Sequence, residues 1–271
     1  MHRKIVTATV FGAVLFGIFS RPLAAQQVQT QLTDPPVASA LTAARPAADG
    51  SLPSAQELLT KSDDAVGGLA AWNKATTRKM KGVYQTEDNS VFLAIEIFHK
   101  SPNKSLSKII MPNGMTIREV SDGQSAWIET STGAYQAFTG AALTSRLKLV
   151  EYEDRAKLEA VASRGKVLGT EKVGAHTAYV LEFFPEKKLQ SRLYFDADSG
   201  LIVRTEDTLS TADGPYTLRL DLDDYREVDG LKFPFRIKRT EKGAILNIRL
   251  TQVTVNPALD DSLFLKPEFA K

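Results

Sequence analysis

Cysteine is absent from this chain of 271 residues, and histidine occurs only three times. The first absence excludes disulfides, a thiol nucleophile and thiolate metal ligation. It also excludes acylation of the chain itself at an N-terminal cysteine. Neither charge sign dominates, with 34 basic against 32 acidic residues. No Gly-rich loop leads from a strand into a helix, so the phosphate cradle of nucleotide-binding folds is missing. Only one apolar run is long enough to attract notice, Ile5–Phe19 near the start. It is shorter than the roughly 20 residues that a spanning helix requires.

That run has the grammar of a secretory signal peptide. His2-Arg3-Lys4 supplies the positive start, Ile5–Phe19 the apolar centre, and Leu23-Ala24-Ala25 a small-residue cleavage site. Residues 1–25 are therefore expected to be removed after export to the periplasm. The leader carries Arg3, Lys4 and Arg21, so the mature chain would hold 34 − 3 = 31 basic against 32 acidic residues. A near-neutral balance offers no electrostatic footprint for nucleic acid, and no nucleic-acid partner is expected. Residues 26–53 (Gln26–Pro53) are rich in Gln, Ala, Thr and Pro and read as a flexible linker. Residues 54–271 form the domain.

The domain is organised around a meander from Tyr179 to Val255. Tyr216, Leu218, Leu220 and Leu222 alternate with polar residues, and Leu231, Phe233, Phe235 and Ile237 do the same. Ala244, Leu246, Ile248 and Leu250 follow. A period of two buries one face of each strand and wets the other. Asp198-Ser199-Gly200, Asp213-Gly214 and Asp229-Gly230 supply the turns. Earlier in the chain, Ser54 and Glu57 make a capping box for a helix over Ser54–Val66, and a further turn over Leu69–Lys74 carries Trp72. Strands are expected at Lys79–Thr86, Val91–Lys100, Ser105–Met111, Met115–Ser121, Ser125–Glu129 and Ala134–Phe138. Ala141–Arg164 then reads as one amphipathic helix with Leu143, Leu147, Val150, Leu158 and Val161 on a stripe, and with Glu151/Arg155 and Glu153/Lys157 pairing outside. Strands resume at Lys166–Val173 and Ala178–Pro185.

The pattern predicts an α+β fold, a curved antiparallel sheet of about eleven strands with helices over its concave face. Two helices cover less apolar surface than such a sheet presents. Part of the face can therefore line a cavity rather than a solid core. Strand centres are the expected core positions and the rim the expected wall, with Phe233 placed on the wall.

Groups capable of chemistry are sparse. His99 ends an apolar strand and His176 sits in a turn, and a structural role suits both. Asp196–Gly200 starts like a calcium loop, but its Gly falls one place early and a bidentate Glu is missing, so a hairpin turn is the better reading. Asp223 and Asp224 are adjacent on a strand and point to opposite faces, as a solvated strand end does. Trp72 and Trp127 are read as core packing by default, with ligand stacking the alternative. No cofactor or metal is expected.

Several segments carry a resemblance. Lys100-Ser101-Pro102-Asn103, followed by Val120-Ser121-Asp122-Gly123 and Trp127, resembles the K-x-P-N and V-S-D-G-x-x-x-W segments of LolA-like outer-membrane lipoprotein-sorting proteins. The segments Tyr194–Leu201, Asp224–Leu231 and Pro257–Phe264 are also similar to those of exported members of that superfamily. The resemblance spans roughly Ser54 to Pro267. It implies a half-open β-barrel closed by helices that holds acyl chains, and a non-catalytic periplasmic carrier for acylated lipoproteins or other lipids. The ligand-contacting residues would then be Ile95, Ile97, Ser101, Ile109, Trp127, Leu218, Leu220, Phe233 and Phe235. In the carriers an arginine stands at the position of Ser101 and holds the helical lid shut, and serine lacks both its reach and its charge. Ser101 is expected on the concave side with Ile95, Ile97 and His99. An alternative of another class is an envelope regulatory or scaffold domain that binds a membrane-protein partner. A hydrolase is a third, without a visible nucleophile and base pair.

Overall fold

The computed structural model describes residues 52–87, 91–151, 155–186, 189–211 and 214–267. The expected signal peptide Met1–Ala25 and nearly all of the linker lie outside them.

Helix α1 (Ala55–Ala65) starts at the anticipated capping box: the Ser54 hydroxyl accepts from the Glu57 N–H at 3.2 Å, and the Glu57 carboxylate accepts from the Ser54 N–H at 2.7 Å. These bonds to Ser54 hold the Glu57 carboxyl below its usual range. Leu58, Leu59 and Ser62 make its buried face. Gly67 follows at φ +110°, and a Cβ there would lie 2.2 Å from the Gly230 carbonyl oxygen. Only glycine lets the chain pass so close to the Asp229-Gly230 hairpin, which docks through Lys232 N–H donating to the Val66 carbonyl at 3.0 Å. Helix α2 (Leu69–Lys74) then carries Trp72, whose indole N–H donates back to the same carbonyl at 3.1 Å.

All strands belong to one antiparallel sheet. Six run outward from its middle: β1 (Thr77–Thr86), β2 (Phe92–Lys100), β3 (Lys104–Ile110), β4 (Thr116–Ser121), β5 (Ala126–Thr130) and β6 (Tyr135–Ala137). Helices α3 (Gly140–Glu151) and α4 (Arg155–Ala162) then carry the chain across to the far edge. From there β7 (Lys166–Val173), β8 (His176–Glu186), β9 (Leu189–Asp196), β10 (Ile202–Thr211), β11 (Gly214–Val228), β12 (Leu231–Glu241) and β13 (Ala244–Val255) return to the middle. There β13 pairs with β1, giving the order β6-β5-β4-β3-β2-β1-β13-β12-β11-β10-β9-β8-β7. The sheet has 13 strands rather than about eleven. The two that alternation did not single out are β9 and β10. Consecutive Leu193, Tyr194 and Phe195 are all buried in β9, and β10 turns polar from Arg204 to Thr208, so neither shows a simple period.

The concave face carries two apolar clusters. One joins Tyr84, Leu93, Ile95, Ile109, Ile117, Ile128, Phe233, Phe235, Leu246 and Ile248, with Trp72 of α2 packed on it. The other joins Leu58 and Leu59 of α1 to Leu158 and Ala162 of α4, over Leu181, Leu193, Phe195 and Ile202. Within the span Ala141–Arg164 expected to be helical, helix is described over Gly140–Glu151 and Arg155–Ala162, and Arg155 does not face outward. Its guanidinium pairs with Asp63 of α1 and donates to the Ser62 hydroxyl at 3.1 Å. Glu153 and Asp154 lie outside the described residues.

The convex face has a core of its own where the C-terminal segment folds back. Phe264, in a 3-10 turn over Asp261–Phe264, packs with Phe98, Leu106, Val120 and Trp127. Lys100 donates to the Leu259 carbonyl at 3.0 Å, Arg118 donates to that of Leu263 at 2.7 Å, and Lys104 pairs with Asp261 at 2.8 Å.

Candidate functional site

The concave face is not filled throughout. Between β1–β4 and β12–β13 lies a cavity of about 190 Å³ walled by Ile95, Ile97, Ile109, Ile117 and Ile248, with Tyr84, Ser107, Glu119 and Arg239 as its polar members. Strand register explains the grouping. Ile95, Ile109 and Ile117 are directly opposed across three strands, as are Ile97, Ser107 and Glu119. Tyr84 opposes Ile248.

The polar members are ordered. One Arg239 N–H₂ group donates to both oxygens of Glu241 at 3.0 Å, and Glu241 is 2 % exposed. Burial works against the Arg239 charge, but Glu241 together with Tyr84 and Glu119 outweighs it and keeps the guanidinium protonated. Burial also pushes the Tyr84 hydroxyl up to about 12. The Tyr84 hydroxyl and Arg239 Nε are shielded from water and have no hydrogen-bond partner among the described residues.

Helix α3 straps the sheet beside this cavity. Arg146 pairs with Glu119 of β4 at 3.3 Å and lies over the Phe138 ring. Ser145, one residue earlier and 2 % exposed, accepts from the Ser210 N–H of β10 at 3.1 Å. One turn of helix thus reaches both halves of the sheet, through an ion pair on one side and a hydrogen bond on the other.

The expected ligand residues are not all in one place. Ile95, Ile97 and Ile109 line the cavity. Leu220 and Leu218 sit directly opposite Arg239 and Glu241 on the neighbouring strand. Phe233 and Phe235 are in the packed cluster; the Phe233 and Trp72 rings meet at 5.1 Å with an interplanar angle of 58°. Phe233 is packed in that cluster and does not line the cavity. Trp127 is on the convex face with Phe264, because odd positions of β5 face away from Ile128; its indole N–H donates to Glu129 at 3.1 Å. Ser101 lies beyond the end of β2 in an exposed turn, so strand parity does not extend to it. That turn nevertheless lines a small cleft with Val150 at the end of α3, and a second cleft joins Asn103 and Gly123 to Thr144, Leu147 and Lys148.

Tyr84, Ser107, Ile117, Glu119 and Arg239 were not anticipated. A signal for Arg239 and Glu241 existed: they continue the odd positions Leu231 to Ile237, so two charges follow four apolar residues on one face.

Other chemistry takes the structural course expected. His176 pairs with Asp196 at 3.3 Å, and the Asp196 carboxylate accepts from the Ser199 N–H and hydroxyl, closing the hairpin. Burial pushes the Asp196 carboxyl up, but the Ser199 bonds and His176 outweigh it and hold it below its usual range. Asp223 pairs with Arg236 and Asp224 with Arg226, both at the solvent. Among the described residues no group of His, Asp and Glu is arranged to hold a metal ion.

No protein-family profile and no curated protein matches the sequence. Solved structures do match. The chain is similar to a LolA superfamily protein from Nitrosomonas europaea, with a TM-score of 0.52 and 15 % identity, covering 79 % of this chain and 99 % of that one. It is similar to a DUF1329 family protein from Desulfovibrio piger, with a TM-score of 0.53 and 13 % identity over 80 % and 97 % of the two chains. A domain from Vibrio parahaemolyticus assigned to outer-membrane lipoprotein sorting gives 0.52 and 12 % over 77 % and 95 %. The chain therefore has the LolA-like fold, an open curved antiparallel sheet with helices over its concave face.

Proposed function

We propose that this chain is a periplasmic binding or carrier protein for acyl-bearing ligands, acting without catalysis after removal of residues 1–25. The observation that carries the reading is the isoleucine-walled cavity of about 190 Å³ beside a helix that an Arg146–Glu119 ion pair and a Ser145–Ser210 hydrogen bond fasten to the sheet. Burying a methylene in such a wall gains about 0.8 kcal/mol, so a chain segment is held by transfer from water without any directional chemistry. The strap then acts as the lid: parting Arg146 from Glu119 and Ser145 from Ser210 opens the way to the wall. The similarity to LolA superfamily structures supports an envelope setting, with acylated lipoproteins or other lipids as partners.

The test is binding of the uncharged fluorescent probe N-phenyl-1-naphthylamine to the full mature chain. Saturable binding is expected, and Ile97→Trp, which fills the cavity from a half-buried wall position, should abolish it. No saturable binding, or binding indifferent to Ile97→Trp, would count against the reading.

A further inference from the structure

The face of the sheet opposite the cavity carries a recess of its own, of about 390 Å³. Its polar side chains come from two adjacent rows that cross the strands. One row runs Gln85, Asn247, Lys238 and Asp221, each directly opposite the next, and the other runs Arg249, Arg236 and Asp223. Their neighbours along the strands, Tyr84, Leu246, Ile248, Phe235 and Ile237, belong to the concave cluster, so these rows stand on the convex face. Phe92 extends the first row beyond Gln85, and it is 58 % exposed.

The charges in these rows do not close among themselves. Arg236 and Arg249 are directly opposed, an arrangement in which like charges repel. Asp223 balances Arg236 at 2.8 Å, Asp221 pairs with Arg204, and Glu87 pairs with Lys238 at 3.5 Å. Arg249 is exposed and has no ion pair among the described residues, and the same holds for Lys81 on this face of β1. An open guanidinium is a fork shaped for a carboxylate.

The mixture of groups decides what kind of partner supplies it. Docking to an anionic bilayer uses clusters of about four to eight basic residues, and two unpaired cations set among carboxylates fall short of that. A polyanion would meet Asp221 and Asp223 as well as Arg249. A polypeptide matches the rows group by group: a carboxylate for Arg249, backbone amides for Gln85 and Asn247, and an apolar side chain for Phe92. Exposed aromatic and arginine side chains are also those that dominate protein interfaces. The first row crosses five strands, from β2 to β11, at a spacing of about 4.8 Å. It is therefore about 20 Å long, the reach of about six extended residues.

We infer that the convex face binds an acidic, partly apolar polypeptide segment of a partner protein, with a carboxylate on Arg249 and an apolar side chain on Phe92. The segment lies on the opposite side of the sheet from the cavity and the α3 strap, so its docking does not depend on what the cavity holds.

The experiment titrates the full mature chain into fluorescein-labelled hexapeptides with glutamate or leucine at each position, at about 0.15 M salt to screen long-range attraction, and reads anisotropy. Saturable binding is expected, and peptides with lysine in place of glutamate should bind at least about tenfold more weakly. Arg249→Glu should weaken the acidic peptides about tenfold and Phe92→Ser about threefold. Both positions are exposed, so neither variant should melt earlier than the parent. Lys166→Glu makes the same change of net charge at an exposed position of the edge strand β7, and it should leave binding within about twofold. Absence of saturable binding, or an equal loss in Lys166→Glu and Arg249→Glu, overturns the inference. So does binding that Ile97→Trp abolishes and Arg249→Glu leaves intact, which would place the peptide in the cavity. Tighter capture by phosphatidylglycerol vesicles overturns it in favour of a membrane surface, and a dimer that Arg249→Glu breaks overturns it in favour of a second copy of the chain.

Discussion

Phe233→Ala separates packed core from cavity wall most sharply. Phe233 is 4 % exposed and meets Trp72 ring to ring at 5.1 Å, and Trp72 in turn is anchored to the Val66 carbonyl where α1 ends. Removing a buried phenyl ring costs roughly 3–5 kcal/mol. The lost aromatic pair, itself about 0.5–1.5 kcal/mol, places the value in the upper part of that range. For a domain of this size each kcal/mol shifts the melting temperature by about 2–4 °C, so a fall of roughly 8–20 °C is expected by calorimetry. Ile97→Ala enlarges a space that already exists and removes a half-buried side chain, so its cost should be about 1–2 kcal/mol, below the range for core sites. Probe binding should show the reverse order, with Ile97→Ala the weaker binder. A Phe233→Ala chain that melts within about 4 °C of the parent but no longer binds the probe would refute this division and move the cavity to the α2 side of the sheet.

Asp207, half-buried on β10, accepts from the Ser191 hydroxyl at 2.7 Å, and burial pushes its carboxyl up to about 6 from the usual 3.8. A raised folded pKa means the native state holds the proton more tightly, so stability is highest below about 4 and declines as pH climbs through about 6; thermal melts should show Asp207→Asn gaining up to about 3 kcal/mol over the parent at pH 7.5 and little at pH 4. Arg155→Ala should cost about 3 kcal/mol by denaturant titration, because it strands the buried Asp63 charge, and adding Asp63→Asn should recover part of that loss. Ser101→Arg places a cation beside the final turn of α3, where it can donate to terminal carbonyls and complement the helix dipole; stopped-flow release of the probe should slow about two- to fivefold.

Much of the fold could be read from local pattern, and the limits have physical causes. Leu231, Phe233 and Phe235 are buried as their period requires, and the Ser54/Glu57 box starts α1 where capping chemistry says it should. The pairing of β1 with β13 joins residues such as Arg78 and Val255, and no short-range signal specifies so distant a partner. A bulge in β13 beside Lys81/Gly82 then shifts the inward residues from Leu246, Ile248 and Leu250 to Val253 and Val255, which a strict period of two does not anticipate. Trp127 shows the same limit differently. Both faces of β5 are buried, one by the sheet's own concave cluster and one by Phe264 from the far end of the chain, so its burial said nothing about its side. The site was half legible: Ile95, Ile97 and Ile109 share a parity that the sequence displays, whereas Tyr84 and Arg239 reach them only through the closing strand pair and β12.

The central claim is that the concave cavity holds an acyl chain in the cell. Mass spectrometry of organic extracts from the natively purified, full mature chain tests it most directly. The account predicts an acyl species close to one per chain in the parent, and its loss from Ile97→Trp. A clean extract from the parent, or the same lipid carried equally by the filled variant, would contradict it and leave the sheet as a scaffold for a protein partner.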